Sequence, residues 1–145
     1  RQFFQKLLDE LREKHHFTSA RVGQPQNWYS FVSGISGIYF SASFAQGGRT
    51  RTEVYIDLGD ATMNKTLFDK LLAGRKEIED AFGEPLEWER LEGRRASRIA
   101  CYSKGAIQTT PDELGKNRQW MIDRLLRFKK VLMPYLQKFT GPGGS

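Results

Sequence analysis

The chain has 145 residues, of which 39% are hydrophobic, 12% aromatic and 28% charged, with a formal net charge of +6. This balance excludes an intrinsically disordered chain, and the length suits one domain. One cysteine, Cys101, excludes an intramolecular disulfide and a cysteine-based metal cluster and fits a reducing, cytoplasmic setting. No apolar run approaches the roughly 20 residues of a membrane helix and no signal-peptide pattern opens the chain, so no membrane contact is expected.

Residues 2–14 place Phe3, Phe4, Leu7, Leu8 and Leu11 on one stripe, which predicts an amphipathic helix. The Gly- and Pro-containing segment 23–28 breaks that period and predicts a loop, with Trp28 plugging the core. Between 38 and 44, Ile38, Phe40, Ala42 and Phe44 alternate with Tyr39, Ser41 and Ser43, the period of a half-buried strand. A glycine turn at 46–49 leads to a second alternation, in which Thr52, Val54, Ile56 and Leu58 oppose Arg51, Glu53, Tyr55 and Asp57.

The spacing predicts a helix over 60–83, started by Asp60 or Asn64 and stopped by Gly83. A second hairpin follows, turning at 92–95, with Leu86, Trp88, Ser97, Ile99 and Cys101 inward and Glu87, Glu89, Ala96, Arg98 and Tyr102 outward. The last helix, about 113–139, lines Met121, Leu125, Phe128, Leu132, Tyr135 and Phe139 along one side, and Pro134 inside it should bend it. The expected architecture is α+β: an antiparallel sheet of about four strands with three helices, in the order α-β-β-α-β-β-α. Residues 1–139 form the single domain, and 140–145 read as a flexible appended tail on an excised piece of a longer protein.

The sequence pI is about 9.6, yet the location of the charge matters more than its total. Within 84–98, Glu84, Glu87, Glu89 and Glu92 balance Arg90, Arg94, Arg95 and Arg98, and opposite charges on neighbouring strands pair without any ligand. The excess lies in residues 114–145, where Lys116, Arg118, Arg124, Arg127, Lys129, Lys130 and Lys138 accompany a single acid, Asp123. Lys116, Arg127, Lys130 and Lys138 fall on the side away from the apolar stripe and, with Arg124, are the candidate nucleic-acid-binding residues. Phosphates along a strand are the ligands such a ridge can follow, although a solvated helix face has the same appearance. A second candidate is the outward sheet face, where Tyr39, Tyr55 and Tyr102 interleave with Arg51 and Arg98 as a stacking platform, but Glu53, Asp57, Glu87 and Glu89 share it and repel phosphate.

Enzyme signals are sparse. His15 and His16 are adjacent with no ligand partners at metal spacing, and no nucleophile or phosphate-loop motif occurs. No metal, cofactor or catalytic residue is assigned. Glu53, Asp57, Glu87 and Glu89 supply acids for a divergent metal-dependent nuclease, but ion pairing already accounts for them.

The motifs PQNW (25–28), SGISG (33–37), RTEVYID (51–57), NKTLFDKL (64–71) and FGEPLEWERLEGRRASRI (82–99) occur in an order that resembles a prokaryotic family, domain of unknown function 4268, over about residues 2–139. Asn27, Trp28, Arg51, Glu53, Tyr55, Trp88, Glu89 and Arg90 mark its fingerprint. The resemblance implies a domain often found C-terminal to a PD-(D/E)xK nuclease-like domain, with contexts of DNA processing or defence. The expectation is therefore a non-catalytic accessory or recognition domain contacting nucleic acid through its basic C-terminal helix. The alternatives are a protein-interaction or homodimerisation module and the divergent nuclease. Its partners would be nucleic acid, the nuclease-like domain of the same parent protein, or another protein.

Overall fold

The computed structural model describes residues 2–18, 28–45, 49–103 and 111–141. Along the chain run α1 (Gln2–Glu13), β1 (Trp28–Val32), β2 (Ile38–Phe44), β3 (Thr50–Ile56), α2 (Ala61–Ala73), α3 (Arg75–Phe82), β4 (Glu87–Glu89), β5 (Ser97–Tyr102) and α4 (Pro111–Thr140). The α+β class and antiparallel sheet are as expected, but among the described residues there are five strands and four helices rather than four and three. The strand order is β1-β2-β3-β5-β4, every neighbour antiparallel.

The additional strand, β1, shows no period-two signal because Val32, on the face opposite Phe31, is also apolar. Val32 is 79% exposed whereas Phe31 is buried against Phe40 across the ladder. The additional helix arises where the expected 60–83 helix breaks at Gly74, whose N–H bonds back to Leu71 O while its carbonyl accepts from Ile78 N. Leu71 and Ile78, both buried, lie seven residues apart, so the apolar phase passes through the break and periodicity conceals it. Asp60 caps α2 by accepting from Thr62 N and Met63 N, and Gly83 closes α3 at φ 99°. Asn64, the other candidate cap, is instead buried behind the strands.

All the helices' apolar stripes meet one face of the sheet. Leu7, Leu8 and Leu11 of α1, Leu67, Phe68 and Leu71 of α2, and Met121, Leu125, Phe128 and Leu132 of α4 pack on Phe40, Val54, Ile56 and Ile99. The α4 stripe ends on fully buried Leu136, with Tyr135 and Phe139 only half-buried. Alternating four- and three-residue steps imply a period of 3.5, whereas a straight helix turns every 3.6 residues and drifts by about 20° per heptad; two heptads of drift exchange Tyr135 for Leu136. Pro134 lies inside α4 at an exposed position, and the helix runs on through Thr140, past the expected domain end. Gly37 fixes the junction of β2 and β3: at φ 83° a Cβ there would stand 2.6 Å from the Asp57 carbonyl oxygen.

Candidate functional site

With the helices on one face, strand alternation sends Tyr39, Ser41 and Ser43 of β2, Arg51, Glu53 and Tyr55 of β3, Arg98, Ala100 and Tyr102 of β5, and Glu87 and Glu89 of β4 to the other face. Register then aligns them in rows. Ser43, Arg51 and Tyr102 are successive neighbours; so are Ser41, Glu53, Ala100 and Glu87; and so are Tyr39, Tyr55, Arg98 and Glu89.

Arg98 is the hinge of the charge on this face. Its Nε donates to Glu89 Oε1 at 2.7 Å, its Nη1 stands 3.7 Å from Glu53 Oε2, and Tyr102 Oη donates to Glu89 Oε2 at 2.7 Å. Arg51 Nε lies 3.5 Å from Glu53 Oε1, too far and too poorly aimed for a hydrogen bond. Glu53, only 6% exposed, forms part of the wall of a cavity of about 380 Å³ together with Ser30, Ser41, Ser43, Phe44, Arg51, Tyr55 and Arg98. On the same face the Arg49 Cζ stands 4.2 Å from the centre of the Tyr102 ring, a cation–π contact.

Desolvation is the largest influence on Glu53 and lifts its carboxyl above the ordinary 4.5, with Arg51 and Arg98 pulling it back only in part. From pH 4.5 up to that raised value, the folded chain holds a proton that the unfolded chain has released. Stability therefore falls as pH rises through this window and stays lower above it. Glu53→Gln, neutral and nearly isosteric, is expected to remove that decline and raise the melting temperature at neutral pH. Thermal melts from about pH 4 to pH 8 measure it; a variant melting below the parent at neutral pH would show that the ion pairs outweigh the burial.

The remaining fingerprint residues hold the scaffold. Trp88 points inward and donates its indole N–H to Glu79 Oε2 at 2.9 Å. Arg90 makes a two-pronged pair with Asp69, both contacts 3.0 Å, and also bonds Glu92. Asn27 and the Trp28 side chain lie outside the described residues, as does most of the 46–49 turn; of the loop expected at 23–28, residues 23–27 lie outside them and Trp28 begins β1. Ala96, expected to face outward, is buried, because the hairpin folds over Lys65, whose ammonium takes the Ala96 carbonyl. Cys101 is buried beside Glu84, its Sγ 2.9 Å from Oε1, and burial first and Glu84 second push its thiol up to about 12, leaving it unreactive.

The basic helix divides into two groups. Arg124 is committed to Glu84 at 2.9 Å and Asp123 at 2.8 Å, and Arg127 to Asp123 at 2.9 Å and to the Phe82 carbonyl at 3.2 Å. These arginines tie α4 to the end of α3. Lys116, Lys130 and Lys138 are exposed and have no ion pair among the described residues.

The four acids considered for a nuclease do not converge. Asp57 is drawn to the end of the sheet by Arg95, at 2.7 and 2.9 Å, and by Asn64, while Glu89 is occupied by Arg98 and Tyr102. Among the described residues no group of three His, Cys, Asp or Glu side chains stands close enough to hold a metal, and no helix is long and apolar enough to cross a membrane.

Sequence reasoning did not single out Ser41 and Ser43, although both are buried at least as deeply as Glu53. The signal available was their size: small hydroxyls where the neighbouring strand carries Arg51, Glu53 and Tyr55 leave a hollow between long side chains. The family model described as Domain of unknown function (DUF4268) matches residues 1–136. No curated protein matches the chain.

Proposed function

Because the chain belongs to the DUF4268 family, a membership that assigns no chemistry, we propose from its surface that it is a non-catalytic recognition domain. In this reading it contacts the nucleic-acid backbone through α4, on behalf of a nuclease-type or defence-associated parent protein. The supporting observation is the row of exposed Lys116, Lys130 and Lys138, without acidic partners among the described residues, over about 33 Å of helix axis. A phosphate strand meets positive charge along that length and needs no pocket. Arg124 and Arg127, although on the same helix, act as fasteners of the fold and not as contacts.

Three neutralised phosphates give a salt slope of about −2.7 on duplex DNA, so affinity should fall roughly fortyfold between about 50 and 200 mM salt. Anisotropy of labelled single- and double-stranded DNA and RNA measures this directly. The combined Lys116→Glu, Lys130→Glu and Lys138→Glu variant should lose binding while melting like the parent. Saturable binding that survives in the triple variant, or no binding by the parent at tens of micromolar, would overturn the reading.

A second reading, association with another copy or a protein partner, is favoured by one feature. Edge strand β1 presents Val32, 79% exposed, beside its ladder partner Tyr39, also exposed, an apolar pair next to unpaired backbone. It predicts a concentration-dependent mass in sedimentation that Val32→Lys abolishes.

A further inference from the structure

The two edges of the sheet are built differently. β4 is three residues long and carries Glu87 and Glu89 on either side of Trp88, and short, charged edges of this kind resist pairing with another strand. β1 is five residues long, Trp28–Val32, and holds no charged residue, no proline and no glycine. Three of its residues are aromatic and one is β-branched, the types that suit a strand best. Among the described residues no strand lies on its outer side, where alternate backbone N–H and C=O groups point away from β2.

Apolar surface gathers at the same edge. Among the described residues, the large hydrophobic side chains left exposed are Val32, Tyr39 and Met63, and Val32 and Tyr39 are direct ladder partners. An uncharged edge beside an exposed apolar pair is the arrangement that edge strands ordinarily avoid unless they pair.

We propose that β1 pairs with β1 of a second copy of this chain, antiparallel about a two-fold axis at Ser30, joining two five-stranded sheets into one of ten strands. This rests on the self-association reading of β1 and fixes its partner and register. Pairing with a second copy requires a surface complementary to itself, and the strand reads alike in both directions from Ser30: first an aromatic residue, Tyr29 or Phe31, then a large apolar one, Trp28 or Val32. The two-fold sets Val32 opposite residue 28 of the other copy and Tyr29 opposite Phe31. Both are favourable cross-strand combinations, aromatic with β-branched and aromatic with aromatic. On the open face the middle row is serine throughout, since Ser30 and Ser41, with hydroxyls 2.8 Å apart, meet the same pair of the other copy. The same operation on β4 would set Glu87 opposite Glu89, and like charges facing each other oppose pairing. β4 therefore ends the sheet where β1 extends it.

Sedimentation of the parent chain from about 5 to 500 µM should show the mass rising from 16.7 kDa toward twice that value, and Val32→Lys should hold it at the monomer. Cysteine pairing reads the register. Facing residues of antiparallel strands have Cα atoms about 4.5 to 5.5 Å apart, within the span of a disulfide, so Ser30→Cys should give a disulfide-linked dimer on air oxidation. Val32→Cys should not, because its two copies would stand about 13 Å apart along the strands. The parent, which carries Cys101 alone, controls for linkage elsewhere, and melting curves confirm that the variants fold. Amide exchange of the parent at the two concentrations needs no variant, and alternate β1 amides should be more protected at the higher one.

A monomer at every concentration would overturn both this proposal and the self-association reading. A dimer that Val32→Lys abolishes but Ser30→Cys does not link, or that Val32→Cys links instead, would overturn the two-fold at Ser30 and leave that reading standing. A dimer that survives Val32→Lys would put the contact on another surface and overturn the proposal as well.

Discussion

Phe128→Ala is expected to cost about 4 kcal/mol, close to the whole margin of a marginally stable domain. Phe128 is fully buried at the middle of α4, with its ring 4.7 Å from that of Phe82. It therefore couples α4 to α3 as well as to the core, and nothing small can refill a space bounded by two helices and a sheet. Urea unfolding with an unchanged slope and a sharply lower midpoint would register the loss. Leu136→Ala and Tyr135→Ala give the contrast. Fully buried Leu136 should cost about 3 kcal/mol and half-buried Tyr135 about 1, and the reverse order would mean that the stripe follows a 3.5-residue period after all.

The elements whose two faces differ were legible in the sequence. β2 and β3 alternate cleanly because helices cover one side and not the other. α1 and α4 carry stripes because each buries one side only. Where both faces of an element are apolar, as in β1, or where an interruption preserves phase, as at Gly74, periodicity carries no information and only tertiary packing decides. The sum of charge over 84–98 was also legible, but its pairing was not. Arg90 reaches Asp69 on α2, Arg95 reaches Asp57 at the end of β3, and Glu84 receives Arg124 from α4; within the segment Arg98 pairs with Glu89 across the ladder and Arg90 with Glu92. The charges of the hairpin thus hold it against its neighbours as well as pairing with one another, and a segment count cannot distinguish the two.

The same limit applies to the open-face cavity. Composition shows two arginines and several acids on one face, and the natural inference is a fully paired network. In the structure Arg98 bonds Glu89, and Glu53 Oε2 and Arg51 Nε are held only by ion-pair contacts, at 3.7 Å to Arg98 and 3.5 Å to Glu53 Oε1, without a hydrogen bond. The difference is a matter of reach: adjacent Cβ atoms in a ladder leave room for an ion pair only if the side chains lie over the sheet at the right angle. Sequence supplies the residue types and the register, and the geometry of the last two rotatable bonds decides which atoms gain a hydrogen bond and which only an ion-pair contact.

Lys65→Met is expected to cost about 3 kcal/mol, far more than a lysine on an amphipathic helix normally carries. From α2 the ammonium donates to the carbonyl of Arg90, to Leu91 O at 3.1 Å, to Ala96 O at 2.7 Å and to Ser97 Oγ at 2.9 Å. These acceptors lie on either side of the β4–β5 turn, where Leu91 adopts the left-handed φ of 58°. Backbone carbonyls turned toward one point need a compact cation, and a methionine of similar length keeps the stem packing while leaving them without a donor. Neighbouring Asn64 closes the same seam, with Leu58 N donating to its Oδ1 at 2.6 Å and its Nδ2 donating to Arg95 O at 2.9 Å. Loss of Lys65 should therefore loosen the hairpin before the rest of the sheet, and amide exchange of residues 97–102 should accelerate more than that of β2. Lys76→Met, on the 93% exposed side chain of α3, serves as the control and should change stability by less than about 0.5 kcal/mol. If the two variants unfold at the same urea concentration, Lys65 is a surface lysine and the hairpin is held by its arginines alone.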